Sequence, residues 1–328
     1  MSKYFMFTLD PIHIGTGGYQ IGRVDNTIVR EPATNLPKIP GSSIAGTART
    51  YATYKEIEDQ KEDQEYKVKI TCAGQDNDVS PGNNKKGHCG KCIICRSFGF
   101  SKNDDRGSSQ GLVYFSDAHI LLFPVSTRIG PAWITSPMIL EDFGIQLETK
   151  NKPSNSFIVV GSEFSGESSL NLGWLNLPIE DEKELPSFDH LASLGSKKNK
   201  LLSSRIVIVP DSLISQIINS NLEVRTSVSI DPVTGAGKDG ALFTSEAIPR
   251  STILWFELGI NDPDYFGYGK KSENSSKEGK SNTLISLLDV KSIVKGGFCY
   301  FETLGIGGMV TRGFGRVTIE EVGENGSK

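Results

Sequence analysis

The chain has 328 residues, with 35 Lys+Arg against 39 Asp+Glu and a formal net charge of −4, so bulk charge forces it onto neither nucleic acid nor an anionic membrane. Hydrophobic residues at 37% and charged residues at 23% are ordinary globular usage, which excludes wholesale disorder and allows a large buried core. Glycine stands out with 35 residues, well above average usage and without a collagen-like period, so loops carry much of the structure.

Residues 3–9 read as a buried strand. Asp10 interrupts the apolar start, and no basic n-region or cleavage site follows, which argues against a secretory signal. No run reaches the roughly 18 to 20 apolar residues of a membrane span, so a soluble protein is expected. A loop punctuated by Gly15, Gly17, Gly18, Gly22, Pro32, Pro37, Pro40 and Gly41 follows, within which 23–31 alternates enough for a short strand or hairpin arm. A helix is expected from Ser42 or Ser43, either of which can cap, through Ile44, Ala48, Tyr51 and Ala52 towards Ile57. Its first-turn N–H groups suit a phosphate.

From 56 to 86 the chain turns polar and charged, and a cysteine cluster closes this insertion. Strand character returns over 111–125, broken at Ser116-Asp117, and 132–140 is read as a further strand. Residues 151–200 are mixed and polar. Then come a strand at 205–209 and a helix at 212–218 with Asp211 as its cap. Segments 224–230 and 241–248 alternate around a glycine-rich tip at 231–240, a β-hairpin pattern. A core strand is expected at 252–258, a polar loop at 262–281 and a helix at 284–290. Segments 297–303 and 315–321 flank a last glycine-rich turn. This order suggests an α+β sheet with helices on one face.

Cys89, Cys92 and Cys95, at two-residue intervals, can wrap one tetrahedral ion, with the fourth ligand coming from Cys72 or His88. Structural zinc would supply folding energy to a segment with little core of its own; an iron–sulfur cluster or unligated thiols are the alternatives. In 305–316, glycines including Gly307 and Gly308 stand beside Arg312 and Arg316, so main-chain N–H groups and guanidinium forks can approach phosphates. The same residues also suit a plain hairpin with glycine turns. A second glycine loop begins at His13, and Asp25 follows before Asn26, a place where an acid commonly bonds only its own backbone.

Taken together, IHIGTGGYQIGRVDNTIVREPATNLPKIPGSSIAGTART (12–50), GLVYFSDAHILLFPV (111–125), AWITSPMIL (132–140), SRIVIVPD (204–211), GALFTSEAIP (240–249) and GIGGMVTRGFGRV (305–317) resemble the RAMP superfamily of CRISPR RNA-binding proteins. In particular they resemble the repeated backbone subunit of type III effector complexes. The YFSDAHILLFPV and ITSP runs look like the Cmr (type III-B) form, and the cysteine segment leading into Arg96 looks like the Csm (type III-A) form, in which a similar segment binds zinc.

The resemblance implies one RRM-like (ferredoxin-like) α+β palm over 1–328, with a zinc-binding lid segment inserted at 56–110, a second insertion at 141–200 and a protruding thumb hairpin at 224–249. It implies a cytoplasmic protein stacked in copies along a CRISPR guide RNA with other type III subunits, without a membrane. The complex would cut complementary single-stranded target RNA at regular intervals by 2′-OH attack. The family's cleavage aspartate carries over to Asp25, with magnesium or manganese as the divalent cation. His13 is a weaker candidate for orienting the phosphate or protonating the leaving oxygen, and Glu246 a third. Lys38, Ser42, Ser43, Arg49, Gly307, Gly308, Arg312 and Arg316 are the expected RNA contacts. The acidic residues of 56–65, 142–148 and 180–184 lie apart in sequence from the glycine loops, so the guide groove can be locally basic. A non-catalytic scaffold of the same complex and a guide-processing endoribonuclease are the alternatives.

Overall fold

The computed structural model describes residues 1–17, 24–60, 67–74, 88–101, 108–154, 156–180, 185–188, 191, 202–266, 268 and 285–323. Gly18, Gly22 and Arg23, most of the polar stretch 56–86, much of 181–200 and most of the loop 262–281 lie outside them. The chain divides into two compact units. One comprises Met1–Ser2, Pro40–Asp117 and Glu257–Leu304; the other comprises Lys3–Ile39, Ala118–Phe256 and Gly305–Lys328.

In chain order the elements are β1 (Ser2–Thr8), β2 (Lys38–Ile39), α1 (Gly41–Glu58), α2 (Ile93–Phe98), β3 (Val113–Phe115), β4 (Ala118–Thr127), β5 (Gly130–Thr135) and α3 (Pro137–Phe143). They continue with β6 (Val159–Val160), β7 (Ser169–Leu172), β8 (Leu175–Pro178), β9 (Ile206–Ile208), α4 (Asp211–Ser220), β10 (Glu223–Ile230), β11 (Gly237–Ala247), β12 (Ile253–Ile260), α5 (Leu287–Phe298) and β13 (Val317–Glu321). The α+β class is as expected. The main sheet runs β13-β1-β12-β4-β5-β9-β6, with β2 added on β4 and β3 on β12. Its β5–β9 pair is parallel. Ile120, Leu121, Leu122 and Phe123 are consecutive and all buried, so both faces of β4 are covered there, and the strand reads as an unbroken apolar run.

Several boundaries differ from the sequence reading, each for a local reason. Neither Ser42 nor Ser43 caps α1: Pro40 occupies the N-cap and no side chain of that residue can serve. Instead Asp117, the interruption between β3 and β4, accepts the Gly41 N–H at 2.8 Å. A Cβ on Gly41 would lie 2.4 Å from the Phe115 carbonyl, which is why glycine opens this helix. The strand expected over 132–140 stops at Thr135, because Ser136 caps α3 with its side chain and Pro137 presets the first turn. Asp211 likewise does not cap α4; its carboxylate accepts the Met138 N–H at 2.9 Å, at the start of α3. The segment 23–31, as far as it is described, makes only isolated bridges, Asn26 with Ser245, Ile28 with Gly15 and Arg30 with Pro37.

In the first unit, α5 starts with a capping box of Ser286 and Asp289 and extends well past residue 290. Its Gly297 has no side chain because α1 lies too close: a Cβ there would be 2.8 Å from the Ala48 carbonyl. The cysteine segment is no free-standing insertion. Cys72, Cys92 and Cys95 share one apolar cluster with Ala52 of α1, Val68 and Ile94, with Ile293 of α5 packed against it.

In the second unit, β10 and β11 form a separate two-stranded sheet, to which Asn26 adds a single bridge at Ser245. The expected glycine-rich tip 231–240 is shorter than the sequence suggests, because β11 already begins at Gly237. Asp231 closes the turn, its N–H donating to the Ala236 carbonyl at 2.8 Å and its carboxylate accepting from Val233 N–H at 2.8 Å. Val233 at the tip is 90% exposed, and Val228, Ile230 and Leu242 are exposed along the arms.

Candidate active site and metal centre

Asp25 is held by the hairpin. Its Oδ2 accepts both the backbone N–H and the side-chain hydroxyl of Thr244 on β11, each at 2.8 Å, while its own N–H donates to that hydroxyl at 3.0 Å. These Thr244 bonds, from the backbone first and then the side chain, hold the carboxyl below the usual carboxylate range. Asp25 is nevertheless exposed, so the structure presents an ionised carboxylate in a fixed orientation at the hairpin base. The next residue continues the join: Asn26 N–H donates to the Thr244 carbonyl at 3.0 Å, and Glu246 N–H to the Asn26 carbonyl at 3.0 Å.

His13 reaches the same strand two residues further on. Its Nδ1 lies 2.6 Å from the Glu246 carbonyl oxygen. Asp25 and His13 are therefore organised by positions 244 and 246 of one strand, about 7 Å apart along it. The Glu246 carboxylate is engaged within the protein. It is buried, pairs with Arg30 at 2.7 Å and accepts the Ile28 N–H at 3.3 Å. Arg30 in turn donates Nε to Asn219 Oδ1 at 2.8 Å, so this pair ties the hairpin to α4. Beside it, Val24, Thr27, Ile28, Arg30, Asn35, Asn219 and Glu246 line a cleft of about 560 Å³.

The glycine loop 305–316 belongs to the same unit. Gly308 N–H donates to the His13 carbonyl at 2.9 Å, and Gly307, at φ +86°, leaves no room for a side chain, since its Cβ would stand 2.6 Å from that oxygen. Arg312 is exposed, while Arg316 pairs with Asp10 at 2.5 Å and Lys38 pairs with Glu31 at 2.8 Å. Ser42 is exposed and Ser43 half-buried in the first turn of α1.

Arg49 has partners within the protein. Its Nε donates to the Cys72 carbonyl at 2.7 Å, Nη1 donates to the Gly99 carbonyl at 2.8 Å, and Nη2 lies 3.9 Å from Cys95 Sγ. This guanidinium is bonded to the cysteine segment.

Cys72, Cys89, Cys92 and Cys95 bring their sulfurs within 4.8 Å of one another, and none is in a disulfide. His88 is outside this group, and the fourth thiol of the cluster is that of Cys72. Four sulfurs each about 2.3 Å from a tetrahedral zinc stand about 3.8 Å apart, and Cys89 and Cys95 are separated by 3.8 Å. The Lys91 and Cys92 N–H groups point at Cys89 Sγ, at 3.4 and 3.2 Å, as they would at a metal-bound thiolate. The neighbouring thiols, Cys72 foremost, pull the Cys89 thiol far below its usual range. The donor set therefore fits a divalent metal of the zinc type.

The RAMP superfamily model matches residues 7–318. This chain belongs to the RAMP superfamily. The Cmr endoribonuclease Cmr4 of Pyrococcus furiosus is 27% identical over 337 residues, spanning 98% of this chain and 96% of that relative. The Csm3 endoribonuclease of Methanothermobacter thermautotrophicus is 32% identical over 163 residues, 49% of this chain and 52% of the relative. Among solved structures, a chain of the type III-B Cmr-beta apo complex matches with TM-score 0.60 at 17% identity over 98% of this chain and 97% of its own. Oligomeric Cmr4 from Pyrococcus furiosus matches with TM-score 0.57 at 20% identity over 99% and 100%. These likenesses fix the fold.

For this RAMP chain the structure adds residues that sequence reading missed. Thr244 orients Asp25, Arg30 neutralises Glu246, and Arg225 of β10 stacks its guanidinium 4.4 Å from the Phe314 ring centre while Nη1 donates to the Gly313 carbonyl at 3.2 Å. None stands in a recognisable motif; a threonine or arginine in an alternating strand gives no signal until its partner, far away in sequence, is known. Among the described residues no helix is long and apolar enough to cross a membrane.

Proposed function

We propose that this chain is the guide-RNA-binding backbone subunit of a type III CRISPR effector complex, cutting complementary target RNA at regular intervals with Asp25 at each cut. Asp25 carries the reading: an exposed, ionised carboxylate fixed at two points to the base of an exposed hairpin. Whole-length similarity to a relative named an endoribonuclease supports it. An RRM-like palm is supported by the order β1-α1-β4, then β12-α5-β13, with strands side by side as β13-β1-β12-β4, the arrangement of a ferredoxin-like βαββαβ unit. The hairpin β10–β11 is the thumb, and 56–110 contributes a zinc-binding lid. The protein works in the cytoplasm, in copies stacked along the guide with other subunits.

In this reading the thumb, with exposed Val228, Leu242 and Val233, turns one target nucleotide out of the stack. Its 2′-OH then lies in line with the adjacent phosphorus. The O2′–P bond forms, the P–O5′ bond breaks, the 2′ proton leaves and O5′ gains one, giving a cyclic phosphate and a 5′-OH. Thr244 occupies Oδ2 of Asp25, leaving Oδ1 to orient the 2′-OH. A carboxylate held below its usual range is a poor proton acceptor at neutral pH, so positioning is its stronger role. A divalent cation, magnesium or manganese, held at Asp25 would supply charge neutralisation at the phosphate. Arg312, Lys38, Ser42, Ser43 and the glycine loop at Gly307 and Gly308, whose Gly308 N–H is taken by His13, remain the proposed backbone contacts, with Arg316 sharing its charge with Asp10. The test is the RNA that copurifies with the complex: short molecules of uniform 5′ sequence are expected, and RNA of random 5′ ends, or none, contradicts the reading.

A further inference from the structure

We infer that His13 and Arg225 are positioning residues that lock the glycine loop 305–316 to the two arms of the hairpin, so that a backbone contact made by the loop fixes where the hairpin and Asp25 sit. The inference deepens the cleavage reading above and rests on it for its consequence, though not for its geometry.

On the β11 side, His13 makes the joint. A carbonyl oxygen only accepts, so the 2.6 Å contact with Glu246 puts a proton on His13 Nδ1. The carbonyl of the same residue takes the Gly308 N–H at 2.9 Å. Three glycines enclose it: a Cβ would lie 3.1 Å from Nε2 at Gly15, 3.5 Å from Cδ2 at Gly308 and 2.6 Å from the carbonyl oxygen at Gly307. With 8% exposure, His13 is buried against these glycines, and its Nδ1 is committed to the Glu246 carbonyl.

On the β10 side, Arg225 makes the matching joint. Its guanidinium covers Phe314 at 4.4 Å and donates to the Gly313 carbonyl at 3.2 Å, while Glu223 holds Nε at 2.6 Å. Both joints are at one level of the hairpin, because Arg225 faces Ser245 and Val224 faces Glu246 across the ladder. Directly opposite residues share a face and neighbours alternate. Arg225 therefore grips the loop from the face opposite Thr244.

The test uses complexes assembled with His13→Asn, His13→Gln, His13→Ala, Arg225→Lys and Arg225→Ala. The asparagine amide can take the place of Nδ1–H and the glutamine amide that of Nε2. Expected is a fall in cutting rate of about 5- to 30-fold with spread cut positions for His13→Ala, His13→Gln and both Arg225 variants, guide loading retained, and rescue by His13→Asn with an unshifted pH profile. Hydrogen exchange on the isolated chains gives a second readout: amides of 244–247 should exchange faster in His13→Ala and Arg225→Ala and return to wild-type rates in His13→Asn. If His13→Asn cuts no better than His13→Ala while exchange is normal, His13 is an acid and the inference falls. Wild-type ladder and exchange in Arg225→Ala also overturn it. A wild-type complex that does not cut target RNA sinks the cleavage reading instead, and the exchange pattern then decides the joint by itself.

Discussion

Replacing Arg49 with alanine tests whether the cysteine segment is fastened to α1 by this one side chain. The change removes two short charged hydrogen bonds, 2.7 Å to the Cys72 carbonyl and 2.8 Å to the Gly99 carbonyl, each about 1.5–3 kcal/mol. Because Arg49 is only part-buried, the expected loss is about 3–5 kcal/mol. The guanidinium is also the cation beside Cys95. Four thiolates and a dication leave a net charge of −2 that this cation offsets, so part of the loss appears in metal affinity. Second-sphere partners typically change affinity by about 10- to 100-fold, and that range is expected here. The assay is zinc competition with a chromophoric chelator, alongside denaturant unfolding with and without EDTA. Arg49→Lys keeps the charge and loses the planar fork, and should fall between wild type and Arg49→Ala. Wild-type zinc affinity in Arg49→Ala, with a stability loss identical in the presence and absence of metal, would refute the coupling.

Cys72→Ser should abolish binding of one zinc per chain while His88→Ala retains it, checked by elemental analysis; iron in place of zinc, or the reverse ranking, contradicts the ligand set. Thr244→Val removes the hydroxyl bond that helps depress Asp25. A depressed carboxyl stays ionised until the pH falls through its lowered pKa, so wild-type cutting should lose its carboxylate only below the ordinary aspartate range, and the variant's acid limb should move upward; an unmoved limb counts against Asp25 as the ionising group. Deleting 233–238 should preserve guide loading and blur the regular cleavage ladder, and an unchanged ladder leaves β10–β11 an ordinary surface hairpin.

Strands with strongly apolar runs, such as β4, β9 and β12, were readable directly, and so was the hairpin around its glycine tip. What the sequence hid was long-range satisfaction of helix ends. Asp117 and Asp211 look like a strand break and a local cap, yet one caps α1 from another segment and the other serves the start of α3. Gly297, with nothing in the sequence to mark it, is the contact point of two helices. The cysteine spacing was legible as a metal pattern, but it took the fold to show that residue 72 joins the cluster and His88 stands outside it. Arg49, expected as an RNA contact from the family resemblance, also bonds the cysteine segment, a pairing that helical position alone does not reveal. Asp25 was found through family likeness; its partner Thr244, 219 residues away, was not.

The most direct test maps the ends of target RNA cut by complexes assembled with wild-type protein or Asp25→Ala, at equal guide occupancy. The account predicts a ladder of regularly spaced cuts with cyclic phosphate and 5′-OH ends for the wild type, and its loss by Asp25→Ala with assembly and guide content unchanged. A wild-type ladder from the Asp25→Ala complex would contradict it.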